Sequence, residues 1–201
     1  VLRGKCGFCK NPISGRYPLV ETVNAVMYLY FLWRFGLSLE FLVFCYLGTV
    51  LLVIFFIDLD FQIIPDILTY SGIVLGLLVA LFPGGITILS SAIGLLVGGG
   101  ALYGIALLGD ALFKKESMGG GDIKLAAMLG AFLGWQKVLL IFMASACIGL
   151  VISLAIMAFS AKLRKERVIP FGPFIALAAV LTMLYGDQII AYYLHNFLGL
   201  N

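Results

Sequence analysis

Charged residues are scarce in this chain. Lys and Arg number 13 and Asp and Glu number 10 among 201 residues, so that 11% of the residues are charged, against roughly 25% in a soluble globular domain. The hydrophobic fraction is 63%, and the mean hydropathy is +1.14. This composition excludes a soluble globular domain and indicates an integral membrane protein.

Several long stretches have no charged residue at all. They are residues 41–57, 67–109, 138–161 and 168–186. A helix needs about 20 apolar residues to cross roughly 30 Å of hydrocarbon, so the second stretch is long enough for two crossings, which Pro83-Gly84-Gly85 divides at a turn. The stretches also lack the alternation typical of barrel strands. The sequence therefore predicts an all-α fold, a polytopic transmembrane helical bundle.

The cationic residues fall into three clusters, which the positive-inside rule assigns to the cytoplasmic side. The clusters are Arg3–Arg16, Lys114–Lys124 and Lys162–Arg167. Each interval between them must then hold an even number of crossings. Helices predicted at 18–36, 38–57, 66–82, 86–109, 123–134 and 137–160 satisfy this condition, with four in the first interval and two in the second. The last apolar part, 170–200, holds one or two spans, with Gly186-Asp187 as the break between two.

This topology predicts a short cytoplasmic segment, 1–17, followed by a membrane domain over 18–201 with seven to eight helices. No signal peptide is visible, and the chain begins at Val1 rather than Met. We therefore expect the N-terminal segment to be incomplete. The lipid bilayer is the expected environment, and no nucleic-acid partner is expected.

Cysteine and histidine are rarer than charged residues, with 4 cysteines and 1 histidine. Few residues are therefore available as metal ligands or nucleophiles. Cys45 and Cys147 lie in apolar runs, where they are interpreted as small hydrophobic residues. The single histidine, His195, is interpreted as a polar tip at a helix end. Only Cys6 and Cys9 have a spacing, CxxC, with chemical meaning.

Acids at the membrane boundary are the remaining candidates, because an Asp at a helix centre costs about 2.5 to 3.5 kcal/mol on insertion scales. Asp58 directly follows the apolar run "LLVIFFI" and is either an interfacial acid or a functional one. Asp60 is either a solvated loop acid or a supporting residue. Asp66 either supports the site or caps the next helix by accepting a hydrogen bond from the backbone N–H of residue 68 or 69.

A second candidate stretch is "MGGGDIKLAA", in which Gly119, Gly120 and Gly121 precede Asp122. It is either a flexible loop with a capping Asp or a site whose glycines let a substrate backbone approach. Lys124 either biases the charge of Asp122 or anchors the helix at the membrane surface.

The predicted topology pairs the two stretches. Asp58 ends a helix that runs inward and Asp122 begins one that runs outward, so both carboxylates are expected at one depth on one face. Two carboxylates that share a water hold one proton between them. The ionised carboxylate then acts as general base toward the water, and the protonated one donates to a peptide carbonyl. This is aspartic-protease chemistry.

At these residues the chain resembles the type IV prepilin peptidases, a family of polytopic bacterial aspartic proteases. Four stretches carry the resemblance. The GxGD motif, which the family shares with presenilin-type proteases, is similar to Gly119-Gly120-Gly121-Asp122, and the first aspartate motif resembles the stretch from Ile57-Asp58 to Pro65-Asp66. The segment with the second of two CxxC pairs resembles "CGFCKNPISGRYPLVE", and the PFGP motif resembles Pro170-Phe171-Gly172-Pro173.

The resemblance implies a multi-pass protein of the bacterial inner membrane with its active site facing the cytoplasm. Asp58 and Asp122 would be catalytic, and the substrates would be type IV prepilins or type II secretion pseudopilins, whose basic leaders are cleaved after a glycine. The peptidase reaction would need no cofactor. Many members also methylate the new N-terminus with S-adenosylmethionine as donor.

Zinc is a further cofactor that the resemblance implies, for the complete protein. The two CxxC pairs of family members can form a tetrahedral Cys₄ zinc site. Only Cys6 and Cys9, half of such a site, are present in this chain.

Two other functions stay open at this point. A small proton-coupled transporter also uses broken helices and membrane acids, but its acids lie near the membrane midplane. A non-catalytic scaffold subunit would tolerate the loss of both aspartates.

Overall fold

The computed structural model describes residues 4, 7–114, 118–159 and 170–198. Within these residues it contains seven α-helices and no β-strand. The helices are α1 (Arg16–Phe35), α2 (Leu39–Phe61), α3 (Asp66–Val79), α4 (Ile88–Phe113), α5 (Gly120–Leu133), α6 (Trp135–Phe159) and α7 (Gly172–Leu198). The predicted all-α polytopic bundle is confirmed.

Four segments are long and apolar enough to cross a membrane. They are Leu39–Phe61, Ile88–Phe113, Trp135–Ile156 and Gly172–Asn196. Helices α3 and α5 have 14 residues each, and a helix of that length spans only roughly 21 Å. The chain is thus a multi-pass membrane protein, whereas the predicted even number of crossings between cationic clusters stays a prediction.

Two predicted interruptions have different outcomes. The turn at Pro83-Gly84-Gly85 separates α3 from α4, and Gly84 has a φ of 98°, a left-handed conformation that favours glycine. Of the two alternatives for residues 170–200, the structure has the single helix, since α7 continues through Gly186 and Asp187. Asp187 instead accepts a hydrogen bond from Lys137 of α6, with 2.9 Å between Nζ and Oδ2.

The chain divides into two compact units, Val1–Leu52 and Val53–Asn201, with the boundary inside α2. In the first unit the ring of Phe31 is fully buried and meets the Phe44 ring edge-on at 5.8 Å. The Thr49 hydroxyl donates to Asn24 Oδ1 at 3.0 Å, which satisfies polar groups in an apolar setting. The predicted division into 1–17 and 18–201 stays a prediction.

The second unit is built around α5. All residues from Leu125 to Leu133 are buried, and α5 contacts α3, α4, α6 and α7. Gly94 of α4 and Gly130 of α5 meet so closely that a Cβ on either would overlap the carbonyl oxygen of the other. The Ser91 hydroxyl also donates to the Ala131 carbonyl at 2.6 Å. These backbone contacts fix the position of α5, and with it the position of its first turn.

Candidate active site

The first predicted aspartate stretch lies at the end of α2. The helix continues to Phe61, so Asp58 and Asp60 both lie within its last turn. Successive side chains on a helix are about 100° apart, so residues two apart point to nearly opposite sides. Asp58 is accordingly buried, with 4% of its surface exposed, whereas Asp60 is exposed. Asp60 is therefore not the loop acid considered above, and its supporting role stays a prediction.

The second stretch forms the start of α5. Gly119 is extended, and its carbonyl accepts the Asp122 N–H at 3.1 Å, which turns the chain into the helix. The three glycines have different surroundings. A Cβ on Gly119 would lie 3.6 Å from Asp122 Oδ2, one on Gly120 would meet nothing within 4 Å, and one on Gly121 would lie 2.9 Å from the Cβ of Ile64. Gly120 thus leaves open space beside Asp122, and Gly121 permits close packing.

Asp58 and Asp122 line one cavity of about 380 Å³. Gly119, Gly120 and Gly121 line the same cavity, as do Asp66 and Lys124, at its more exposed side. The structure thus brings together the two carboxylates that the topology paired, inside one compact unit.

The start of α7 supplies a site residue to which the sequence analysis gave no role. The backbone N–H of Gly172 donates to the carboxylate of Asp58. A Cβ on Gly172 would overlap Asp58 Oδ2, so this approach requires glycine. The N-terminal end of a helix carries partial positive charge, which favours a carboxylate there. The PFGP motif was the signal for this contact, but nothing in its sequence indicates which side chain it meets.

Burial and charge hold Asp122 in an unusual state. Asp122 lies outside the four spanning segments. Burial, and then the charge of Asp58, raises the pKa of Asp122 from 3.8 to about 7. A carboxyl with this pKa keeps its proton over most of the acidic range and exchanges it near neutral pH, which suits a general acid.

Asp66 does not cap α3 as one interpretation expected. The backbone N–H groups of Leu68 and Thr69 donate to the Pro65 carbonyl, at 3.1 and 3.4 Å. The Asp66 carboxylate instead accepts a hydrogen bond from Lys124, with 2.6 Å between Oδ1 and Nζ. This bond raises the pKa of Lys124, and the ammonium also lies 5.3 Å from the centre of the Tyr70 ring. The pair links the start of α3 to the start of α5.

The predicted zinc ligands receive no support from the structure. Cys6 lies outside the described residues, and Cys9 is exposed. The described ranges contain no group of three or more His, Cys, Asp or Glu side chains placed to hold a metal. A structural zinc site needs four ligands, so the described residues do not fit one.

Comparisons with known proteins identify the family of this chain. The family model described as the type IV leader peptidase family matches residues 45–154, and the bacterial peptidase A24 N-terminal domain matches residues 1–35. Three curated relatives are named prepilin leader peptidase/N-methyltransferase. The protein of Pseudomonas putida is 37% identical, and the match covers 94% of this chain and 66% of the relative. The protein of Stutzerimonas stutzeri is 40% identical, with 96% of this chain and 66% of the relative covered. The protein of Legionella pneumophila is 36% identical, with 96% of this chain and 67% of the relative covered.

The chain thus spans about two thirds of the length of these relatives. No solved structure matches it. The family model covers more than half of the chain and includes both aspartates of the cavity. The chain belongs to the type IV leader peptidase family.

Proposed function

We propose that this chain is a membrane aspartic endopeptidase that removes the basic leader of type IV prepilins or type II secretion pseudopilins. The observation that carries the proposal is that Asp58 and Asp122 line one cavity. The names of the relatives, which describe prepilin leader peptidases, supply the substrate class.

The two carboxylates have different surroundings, which suggests different roles. Asp58 accepts a hydrogen bond from the backbone N–H of Gly172, which holds its carboxylate in place, and we assign it the role of general base. Asp122, whose pKa is raised to about 7, holds the proton and is the general acid. Asp58 takes a proton from a water whose oxygen attacks the peptide carbonyl carbon, while Asp122 gives its proton to the carbonyl oxygen.

Collapse of the tetrahedral intermediate reverses these proton positions. Asp58 gives its proton to the leaving amine nitrogen, the C–N bond breaks, and a hydroxyl of the intermediate returns a proton to Asp122. The dyad then has the same protonation as before. The open space beside Gly120 provides room for the substrate backbone next to Asp122.

Cleavage after a glycine, at the cytoplasmic face of the bacterial inner membrane, belongs to this proposal. Asp58 lies in the last turn of α2 and Asp122 in the first turn of α5. Positions at helix ends favour a peptidase over a proton-coupled transporter, whose acids lie near the membrane midplane.

N-methylation of the new N-terminus is proposed from the names of the relatives, with S-adenosylmethionine as the methyl donor. Mass spectrometry of the cleaved pilin, made with and without S-adenosylmethionine, tests this part. A product heavier by one methyl group is expected only with the donor, and an unchanged mass would contradict it.

The peptidase proposal is tested by incubating the purified chain with a prepilin and identifying the product by mass spectrometry. Asp58→Ala and Asp122→Ala should each abolish cleavage while the protein remains folded and inserted. Asp66→Ala should have a milder effect. Asp187→Ala removes an exposed acid of α7 that lies outside the cavity, and it should cleave normally. Retained cleavage in both aspartate variants would overturn the proposal and favour a scaffold subunit.

A further inference from the structure

The charges around the cavity pose a problem for the proposed dyad. Among the residues that the structure describes, the charged groups lining the cavity are Asp58, Asp66, Asp122 and Lys124. Lys124 is the one cation in that set. An opposite charge within about 4 to 6 Å lowers the pKa of a carboxyl by about 1 to 3. A mobile ammonium in this cavity would therefore remove the proton that the general acid must keep.

The position of Lys124 avoids this conflict. Asp122 and Lys124 both line the cavity, but their side chains leave α5 in different directions, because two helical residues turn the chain by roughly 200°. The ammonium reaches α3, where Asp66 Oδ1 accepts its hydrogen bond at 2.6 Å and the Tyr70 ring lies 5.3 Å away. Side-chain exposure is 30% for Lys124 and 59% for Asp66, so the pair lies at the mouth of the cavity.

We propose that Asp66 and Lys124 act as a positioning pair for the dyad, in which Asp66 holds and neutralises the Lys124 ammonium so that its charge does not deprotonate Asp122. The inference rests on the proposed function, because it assigns Asp122 the role of general acid. Lys124 does not act on substrate in this account. It fastens α3 to α5, and Asp66 makes that link electrically neutral.

The other groups packed around Asp122 do not replace this pair. Helix α2 presents Asp58, and α7 presents the backbone N–H of Gly172. Helix α3 presents Asp66 and Tyr70, both next to Lys124. The neighbouring helices α4 and α6 also carry charged residues, but these do not line the cavity. They are Asp110 in α4, Lys114 directly after α4, and Lys137 in α6.

The test measures the titration of Asp122 directly in the purified full chain. Infrared spectroscopy follows the protonated carboxyl band, which is assigned to Asp122 by its disappearance in Asp122→Asn. Asp66→Asn leaves the ammonium without its counter-charge, so the midpoint should fall by about one pH unit. Lys124→Gln leaves a carboxylate without its cation, so the midpoint should rise. The double variant removes both charges and should return near the wild-type midpoint.

The Lys137–Asp187 pair provides a matched control, since it is also a Lys–Asp link between two helices but does not line the cavity. Lys137→Gln and Asp187→Asn should leave the midpoint unchanged. The pair loses its proposed role if both single variants at the cavity move the midpoint in the same direction, if neither moves it, or if the double variant fails to restore it.

Cleavage of a prepilin as a function of pH separates the charge pairing from the peptidase function. It is measured on the wild type, Asp66→Asn, Lys124→Gln and the double variant. Parallel movement of the pH profile and the infrared midpoint supports both. The infrared titration needs no substrate, so the predicted midpoints without any cleavage would support the charge pairing and contradict the peptidase function.

Discussion

The start and the middle of α7 combine the same parts in different ways. Each of the two positions places a glycine against a neighbouring side chain and a carboxylate close by. In the middle of the helix Gly186 lies beside Thr182 and the stem of Lys137, and Asp187 is 82% exposed with the Lys137 ammonium 2.9 Å away. At the cavity end Gly172 lies against Asp58, which is only 4% exposed and is held by a backbone N–H.

The difference in burial and partner separates Asp187, whose contact with Lys137 is structural, from Asp58, for which we propose a catalytic role. An exposed Asp with a Lys partner needs no explanation beyond solubility and a small gain in stability. Burial of a carboxylate whose partner is a neutral donor destabilises the fold. Such an arrangement therefore needs a reason other than stability. A second acid, Asp122, lines the same cavity and increases that destabilisation, because its pKa is raised by the charge of Asp58 as well as by burial. The proposed catalytic role gives a reason for this arrangement at the start of α7.

The strongest way to break the comparison is to add one methyl group at each of the two glycines, Gly172 and Gly186. Gly172→Ala places a Cβ onto Asp58 Oδ2 and should slow prepilin cleavage by about 100-fold, because a displacement of about 1 Å can have that effect on a catalytic group. Gly186→Ala places its Cβ 2.9 Å from Thr182 Cγ2, the tip of a side chain, and should leave cleavage within a few-fold of wild type.

The measurement for this pair of variants is kcat/KM, with the thermal unfolding midpoint of each protein as the control for folding. Equal losses of activity in the two variants, or no loss in Gly172→Ala, would remove the distinction between the two positions.

A smaller effect is expected from pH, and only at the cavity end. The pKa of Asp122 is about 7 when folded, against 3.8 for the free group. The cleavage rate should therefore fall about tenfold per pH unit above roughly pH 7, as the general acid loses its proton. The profile of kcat/KM against pH checks this, and a rate that stays constant from pH 7 to pH 9 would contradict it.

The same pKa predicts the direction of a stability change. Between pH 3.8 and about 7, Asp122 holds a proton in the folded protein that it has lost in the unfolded protein. The stabilising contribution of protonated Asp122 is thus complete below the lower value and lost as pH rises through the upper one. Thermal unfolding measured across this window should show the fall, and Asp122→Asn should remove it.

The smallest effect is expected from the ion pair in the middle of α7. Asp187→Asn breaks the bond to Lys137, but the carboxylate is mostly solvated, and such surface pairs contribute only about 0 to 1 kcal/mol. Cleavage and unfolding temperature should both stay close to wild type. A loss of activity comparable to that of Gly172→Ala would mean that the middle of α7 also takes part in catalysis.

The pairing of Asp58 with Asp122 could be predicted because it follows from counting the membrane crossings between the cationic clusters. Uncharged runs and cationic clusters predict a direction for each helix, and that direction predicts which end of a helix an acid occupies. The helix lengths follow from the same runs, except where a local feature competes. Gly186-Asp187 has the composition of a break, yet α7 continues through both residues, and it packs against α6.

Contacts between distant segments could not be predicted in this way. Asp66 has the sequence of a helix cap, but its partner is Lys124, 58 residues further along the chain. Gly172 meets Asp58 across an even longer separation. Both contacts depend on how the helices pack, and hydropathy reports only which segments are apolar enough to enter the membrane. Side-chain partners of this kind require coordinates.

The most direct test of the central claim, that Asp58 and Asp122 form one dyad, is the infrared titration of Asp122 with and without the charge of Asp58. In the wild-type chain the carboxyl band should titrate near pH 7. In Asp58→Asn the burial of Asp122 remains but the neighbouring charge is gone, so the midpoint should move to lower pH. A midpoint that stays near 7 in Asp58→Asn would mean that the two carboxylates do not interact, and would contradict the dyad.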